Sequence, residues 1–142
     1  MIKKNYLTLV FSILLFNMNA QELEQHQWKN RILIIKTNQD SNNVFYKQLA
    51  EVLSDKKGII ERKLIIYTAN DAILKMLDFS KNKEVEISNT KDGILKPKEN
   101  FEILLIGLDG GIKLKQDEFL ALENLFSLID GMPMRRQELK RN

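Results

Sequence analysis

Ile32–Ile35 and Ile103–Ile106 are runs of four consecutive aliphatic residues without polar alternation. A run without polar alternation predicts a strand covered on both faces, so Arg31–Lys36 and Phe101–Ile106 are read as core strands. Ile112 and Leu114 alternate with Lys113 and Lys115, the pattern of a half-solvated edge strand. Between those last two runs lies Asp109-Gly110-Gly111, a tight-hairpin signal, and both glycines are expected to take positive φ. Lys63–Thr68 predicts a further strand.

Helical spacing accounts for other segments. Phe45, Leu49, Val52 and Leu53 fall on one side of a helix expected to be capped by Asp40 or Ser41, to end near Lys57 and to stop at Gly58 in the left-handed region. Leu122, Leu125, Phe126 and Ile129 form the buried stripe of a closing helix that Gly131 and Pro133 terminate. That helix starts either at an Asp117 cap or, uncapped, near Ala121. Asn70–Phe79 is read as a short helix through Ile73, Met76 and Leu77. Ser80–Asn100 is polar, and a strand at Val85–Ser88 would break an otherwise long loop.

The resulting order is βαβ, a variable segment, then ββα. It predicts an α/β thioredoxin-like sandwich whose central mixed sheet has four strands or slightly more and is flanked by helices, with a right-handed parallel crossover between the first two strands. At 142 residues, one domain is expected, with residues 21–142 as the folded part. Met1–Ala20 has Lys3 and Lys4, then an apolar segment from Tyr6 to Phe16, then a small residue before Gln21. This is the layout of a secretory signal peptide, too short to span a bilayer, which needs about 20 apolar residues. The expected location is therefore periplasmic or secreted, with no stable membrane insertion after cleavage.

Removing the leader takes two lysines and no acids, so the net charge falls from +3 to +1. A nearly neutral chain has no field suited to nucleic acid. The chain has no cysteine. Thiol–disulfide and peroxidase chemistry are excluded, and an exported domain without disulfides rests on its core.

Trp28-Lys29-Asn30-Arg31, Glu61-Arg62, Leu105-Ile106-Gly107, Asp109-Gly110-Gly111-Ile112-Lys113-Leu114 and Ile129-Asp130-Gly131-Met132-Pro133-Met134-Arg135-Arg136 resemble the bacterial family known as domain of unknown function 4174. The resemblance implies a thioredoxin- or peroxiredoxin-like fold, export, and kinship with a domain of vertebrate matrix proteins that carry sushi repeats. It implies no established reaction. Phe119, Ala121 and Leu122 depart from the serine or proline that commonly opens the last helix in that family.

In a redox-active thioredoxin fold the nucleophile follows the first strand at a helix N-terminus. Here Thr37–Asn43 occupies that place, and Asn100-Phe101 stands where such folds carry a proline. An enzyme would need a non-thiol site, for which Asp40, Ser41 and Asp109 are the polar groups to converge. The favoured alternative is a non-catalytic module that binds an envelope or extracellular protein or an anionic glycan. No cofactor or metal is expected: His26 is the single histidine, read as solvated, and Trp28 is read as packing over the core edge. In the basic tail, Arg135 and Arg136 either fold back onto helix-end carbonyls or Asp130, or present a docking site beside Met132 and Met134.

Overall fold

The computed structural model describes residues 22–71, 73–88 and 90–142; the leader and its cleavage point lie outside them. Six strands form one mixed sheet: β1 (Arg31–Thr37), β2 (Leu64–Asn70), β3 (Ile73–Asp78), β4 (Lys83–Ile87), β5 (Glu102–Ile106) and β6 (Ile112–Gln116). Their order is β4-β3-β2-β1-β5-β6. Only β1 and β2 pair in parallel; the other four pairings are antiparallel. Helices α1 (Asn43–Leu53), α2 (Lys56–Glu61), α3 (Leu122–Asp130) and α4 (Pro133–Arg141) flank the sheet, and Glu24–His26 and Gly93–Leu95 are single 3-10 turns. The four strands β2-β1-β5-β6 carry the expected βαβ-ββα order, and the β3-β4 hairpin widens the sheet to six.

Both faces of the internal strands are covered, as their unbroken apolar runs require. On one face Leu33, Ile35, Ile66, Ile103 and Leu105 pack against Phe45, Val52, Ile59, Leu125 and Ile129 of the helices. On the other, Ile32, Ile34, Ile65, Tyr67 and Leu104 are roofed by Leu23, Ile94 and Leu95. Each fully buried aliphatic side chain stabilises the fold by roughly 1.5–3 kcal/mol. β6 lies at the expected edge, with Lys113 and Lys115 exposed and Leu114 half-buried, but Ile112 departs from the alternation and is itself exposed.

Several local expectations are corrected. Residues 73–78 are not helical but form β3, paired with β2 from Ile66↔Leu77 to Asn70↔Ile73. Asp71, at φ 44°, supplies the left-handed backbone that a tight hairpin needs. β4 falls close to the strand expected at Val85–Ser88. The cap of α1 is neither Asp40 nor Ser41 but Asn42, whose Oδ1 accepts the Phe45 amide at 3.0 Å.

The first helix breaks early, because Asp55 Oδ1 accepts the Gly58 amide at 2.9 Å and starts α2. Gly58 therefore sits inside a helix, where a Cβ would lie 2.5 Å from the Phe126 ring. Its missing side chain makes room for α3. In the β5-β6 turn only Gly110 has positive φ, at 82°; Asp109 Oδ1 instead accepts the Gly111 amide at 3.0 Å.

α3 takes its shorter form, with Ala121 at the N-cap and no capping side chain of its own. α1 supplies the acceptors from across the structure. Glu51 Oε1 takes the Leu122 amide at 2.9 Å, and Gln48 bonds both backbone groups of Leu120, accepting from its amide at 2.7 Å and donating to its carbonyl at 2.8 Å.

Candidate functional site

The loop after β1 is tied to Asn100 by hydrogen bonds, and Gln39, Asn42 and Val44 line a cavity of about 850 Å³ there with Asn100, Phe101 and Lys115. Thr37 Oγ1 and Asn42 Nδ2 both donate to the Asn100 carbonyl, the latter at 2.7 Å, while Asn42 Oδ1 caps α1. Asp40 and Ser41 are exposed on the turn. Asp109 lies at the opposite end of the sheet, since Lys36 pairs with Glu102 and Ile32 with Ile106. The length of β1, roughly 20 Å at 3.3 Å per residue, separates the two places. The three residues do not converge on one site.

The tail forms helix α4, which opens with Pro133 at its first turn, and Arg135 and Arg136 fold back onto Asp130 and the Gly131 carbonyl. Arg135 is 5% exposed: its Nε meets Asp130 Oδ1 at 3.2 Å, and its Nη1 donates to the Glu61 carbonyl at 2.9 Å and to Glu138 at 3.2 Å. Arg136 is exposed but donates to the Gly131 carbonyl at 2.9 and 3.0 Å, a helix-end cap. Met132 is partly buried against the core, and Met134 is exposed.

Around Arg135 runs an ion network that joins distant parts of the chain. Arg31, 1% exposed, donates to the Arg62 carbonyl at 3.0 Å and pairs with Glu138 at 3.3 Å. Arg62 pairs with Asp130 at 2.6 Å and lays its guanidinium 3.9 Å from the centre of the Phe126 ring. Burial pushes the Asp130 carboxyl up, but the hydrogen bonds from Arg62 and Arg135 outweigh it and hold it below its usual range. Glu138 is likewise pushed up by burial and pulled lower overall by Arg31, Arg135 and Lys63. A charge taken out of water needs such partners, so these arginines hold α4 against the body of the fold.

The two aromatic side chains of the N-terminal lead exchange the places expected of them. His26 is buried, its Nε2 lying 2.7 Å from the Tyr67 hydroxyl, which also reaches Met76 Sδ at 3.3 Å. The 3-10 turn at Glu24–His26 points this ring inward. Trp28, in contrast, is 64% exposed at φ 65°, its amide donating to the Leu108 carbonyl at 2.7 Å. Polar neighbours on both sides of His26 hid its burial from the sequence.

Burial lowers the His26 pKa below its ordinary 6.5, against the raising effects of Asn30, Glu22 and Asp78. A buried histidine that resists protonation is stabilising while neutral; as pH falls through 6.5 the unfolded chain takes up the proton first, and stability drops. The melting temperature is therefore expected to decline between pH 7.5 and the lowered pKa, and His26→Gln is expected to flatten that decline. Parallel pH profiles of the two proteins would refute the assignment.

At the end of the sheet where β1 begins lies a cavity of about 380 Å³, with Gln27 and Asn30 in its lining. Leu23, Ile32, Ile94, Ile106 and Ile112 supply apolar lining, and Gln27, Asn30, Asp92 and Asp109 are among its polar groups. The Asp109 carbonyl accepts from Gln27 Nε2 at 2.9 Å, and its carboxylate pairs with Lys113 at 2.8 Å, which rigidifies the turn. Asp109 thus contributes to a concave site, though not to the one the sequence suggested. Among the described residues no group of three or more His, Asp or Glu side chains is placed to hold a metal ion.

The elements at this end of the molecule bring together the segments that carry the family resemblance: the start of β1, the end of α2, the β5-β6 turn and the α3-α4 junction. No curated protein and no solved structure matches the chain. One family model does, that of the domain of unknown function DUF4174, and since it spans residues 22–138, which include all six described strands and the first two thirds of α4, the chain belongs to that family.

Proposed function

We propose that this chain is an exported, thioredoxin-like binding module without catalytic activity, and that it contacts a protein of the cell envelope or exterior through the sheet end where β1 begins. The observation that carries the reading is Trp28: a bulky aromatic left 64% exposed at φ 65°. A non-glycine residue in that region carries strain of about 1–3 kcal/mol, and burial of the ring does not offset it here. Exposed tryptophan is the side chain most characteristic of binding hot spots. The separation of Asp40 and Ser41 from Asp109 along β1 speaks against a joint polar site there, and Arg135, buried in its own network, is removed from the contact surface that the tail suggested.

Trp28→Gly separates binding from folding. Glycine tolerates positive φ, so the melting temperature is expected to stay level or rise, while capture of the partner from envelope extracts by the purified domain is expected to disappear. Retained capture by a normally folded Trp28→Gly protein would place the contact elsewhere. Capture of an anionic glycan in place of a protein would replace the partner class.

A further inference from the structure

The cavity at the end of the sheet where β1 begins has an ionic character that selects its occupant. Asp92 is 5% exposed and lines it, with Oδ2 accepting the Leu23 amide at 2.9 Å. Among the described residues no lysine or arginine forms an ion pair with Asp92. A carboxylate so nearly removed from water calls for a cation, and a single amide answers only part of that need. The other ionisable side chains in the lining, Glu24 and Asp109, are also acidic, and among the described residues only Asp109 has a basic partner, Lys113.

Around these acids the wall is aliphatic: Ile32, Ile94, Ile106 and Ile112. The combination of an apolar wall with a buried carboxylate that has no basic partner among the described residues matches a primary ammonium at the end of a flexible hydrocarbon stem. At about 380 Å³ the space falls at the small end of ligand pockets, which run roughly 300–1,000 Å³. We infer that this cavity receives a lysine side chain of the partner protein, its methylenes against the isoleucines and its ammonium on Asp92. A lysine behaves this way at an interface, burying its stem while its head finds a charge.

This inference rests on the binding-module reading and deepens it, because it names what the partner must present and disfavours an anionic glycan at this end. Trp28 does not line the cavity, so the two assignments fail independently.

The test is a titration of the ¹⁵N-labelled mature domain with Nα-acetyl-lysine methylamide, followed by amide shifts at Asn30, Asp92, Gly107 and Gly110. Saturable shifts at these positions are expected, with the neutral isostere Nα-acetyl-norleucine methylamide binding at least about tenfold more weakly. Asp92→Asn is expected to lose that preference. Because Asp92 also anchors Leu23, a second variant guards against misfolding: Ile112→Lys, at a site 54% exposed, introduces a cation at the cavity and should abolish lysine binding without unfolding the chain. Equal binding of lysine and norleucine analogues, no saturable shift, or an undiminished response in Ile112→Lys would each overturn the assignment. Lysine binding that persists alongside capture indifferent to Trp28→Gly would sink the Trp28 contact and leave the cavity assignment standing.

Discussion

Glu138→Ala is expected to cost about 3 kcal/mol and to lower the melting temperature by about 10 °C, although Glu138 lies four residues from the end of the chain. Among the described residues its carboxylate is the only acidic partner of Arg31, a guanidinium 1% exposed, and it also pairs with Arg135 at 3.2 Å and Lys63 at 3.7 Å. Removing one member of a buried pair leaves the other charged and desolvated, which is costlier than the pair itself is stabilising. The exposed Lys63 contact adds little.

Thermal melts across pH check the mechanism. The Glu138 carboxyl is held below its ordinary 4.5, so its contribution is complete above that value and vanishes as pH falls through the lowered one. The gap between wild type and variant should therefore close in acid. A gap below about 2 °C at neutral pH would mean that the Arg62 carbonyl alone suffices for Arg31.

Gln48→Leu should cost about 2–4 kcal/mol, a larger effect than a near-isosteric change normally has. Gln48 is fully buried on α1 and serves Leu120 as a neighbouring strand would, taking its amide at 2.7 Å and giving to its carbonyl at 2.8 Å. Leucine fills the same space but leaves both backbone groups without a partner, each costing about 1–3 kcal/mol where water is excluded. Chemical denaturation measures the loss, and hydrogen exchange localises it: the Leu120 amide should lose protection beyond the global change. Unchanged exchange at Leu120 would show that the bond does not persist in solution.

What the sequence determined by itself was the scaffold of positions whose neighbours along the chain declare their surroundings. The unbroken runs of β1 and β5 demanded cover on both faces, and they have it from the helices on one side and from Leu23, Ile94 and Leu95 on the other. The alternation in β6 marked an edge, and the stripe of Leu122, Leu125 and Ile129 marked the buried side of α3. Periodicity carries this information because it reports directly which face of an element meets water.

Only the tertiary structure decided the rest, wherever a residue's partner lies far away in sequence. Residues 73–78 became a strand because the open edge of β2 offered backbone partners, and a short apolar segment follows the partner that completes its hydrogen bonds. Pro133, which ends a helix as readily as it begins one, begins α4 because Glu138 meets Arg31 across 107 residues. Gln48 reaches Leu120 across 72 residues, and His26 turns inward to Tyr67 across 41 while Trp28 turns out. Asp109 left the group proposed for it because antiparallel pairing of β1 with β5 carries the hairpin to the far end of the sheet. Local pattern states that a side chain is polar or apolar; which polar group finds a partner, and which remains exposed, is settled only when the sheet closes its register and the helices dock.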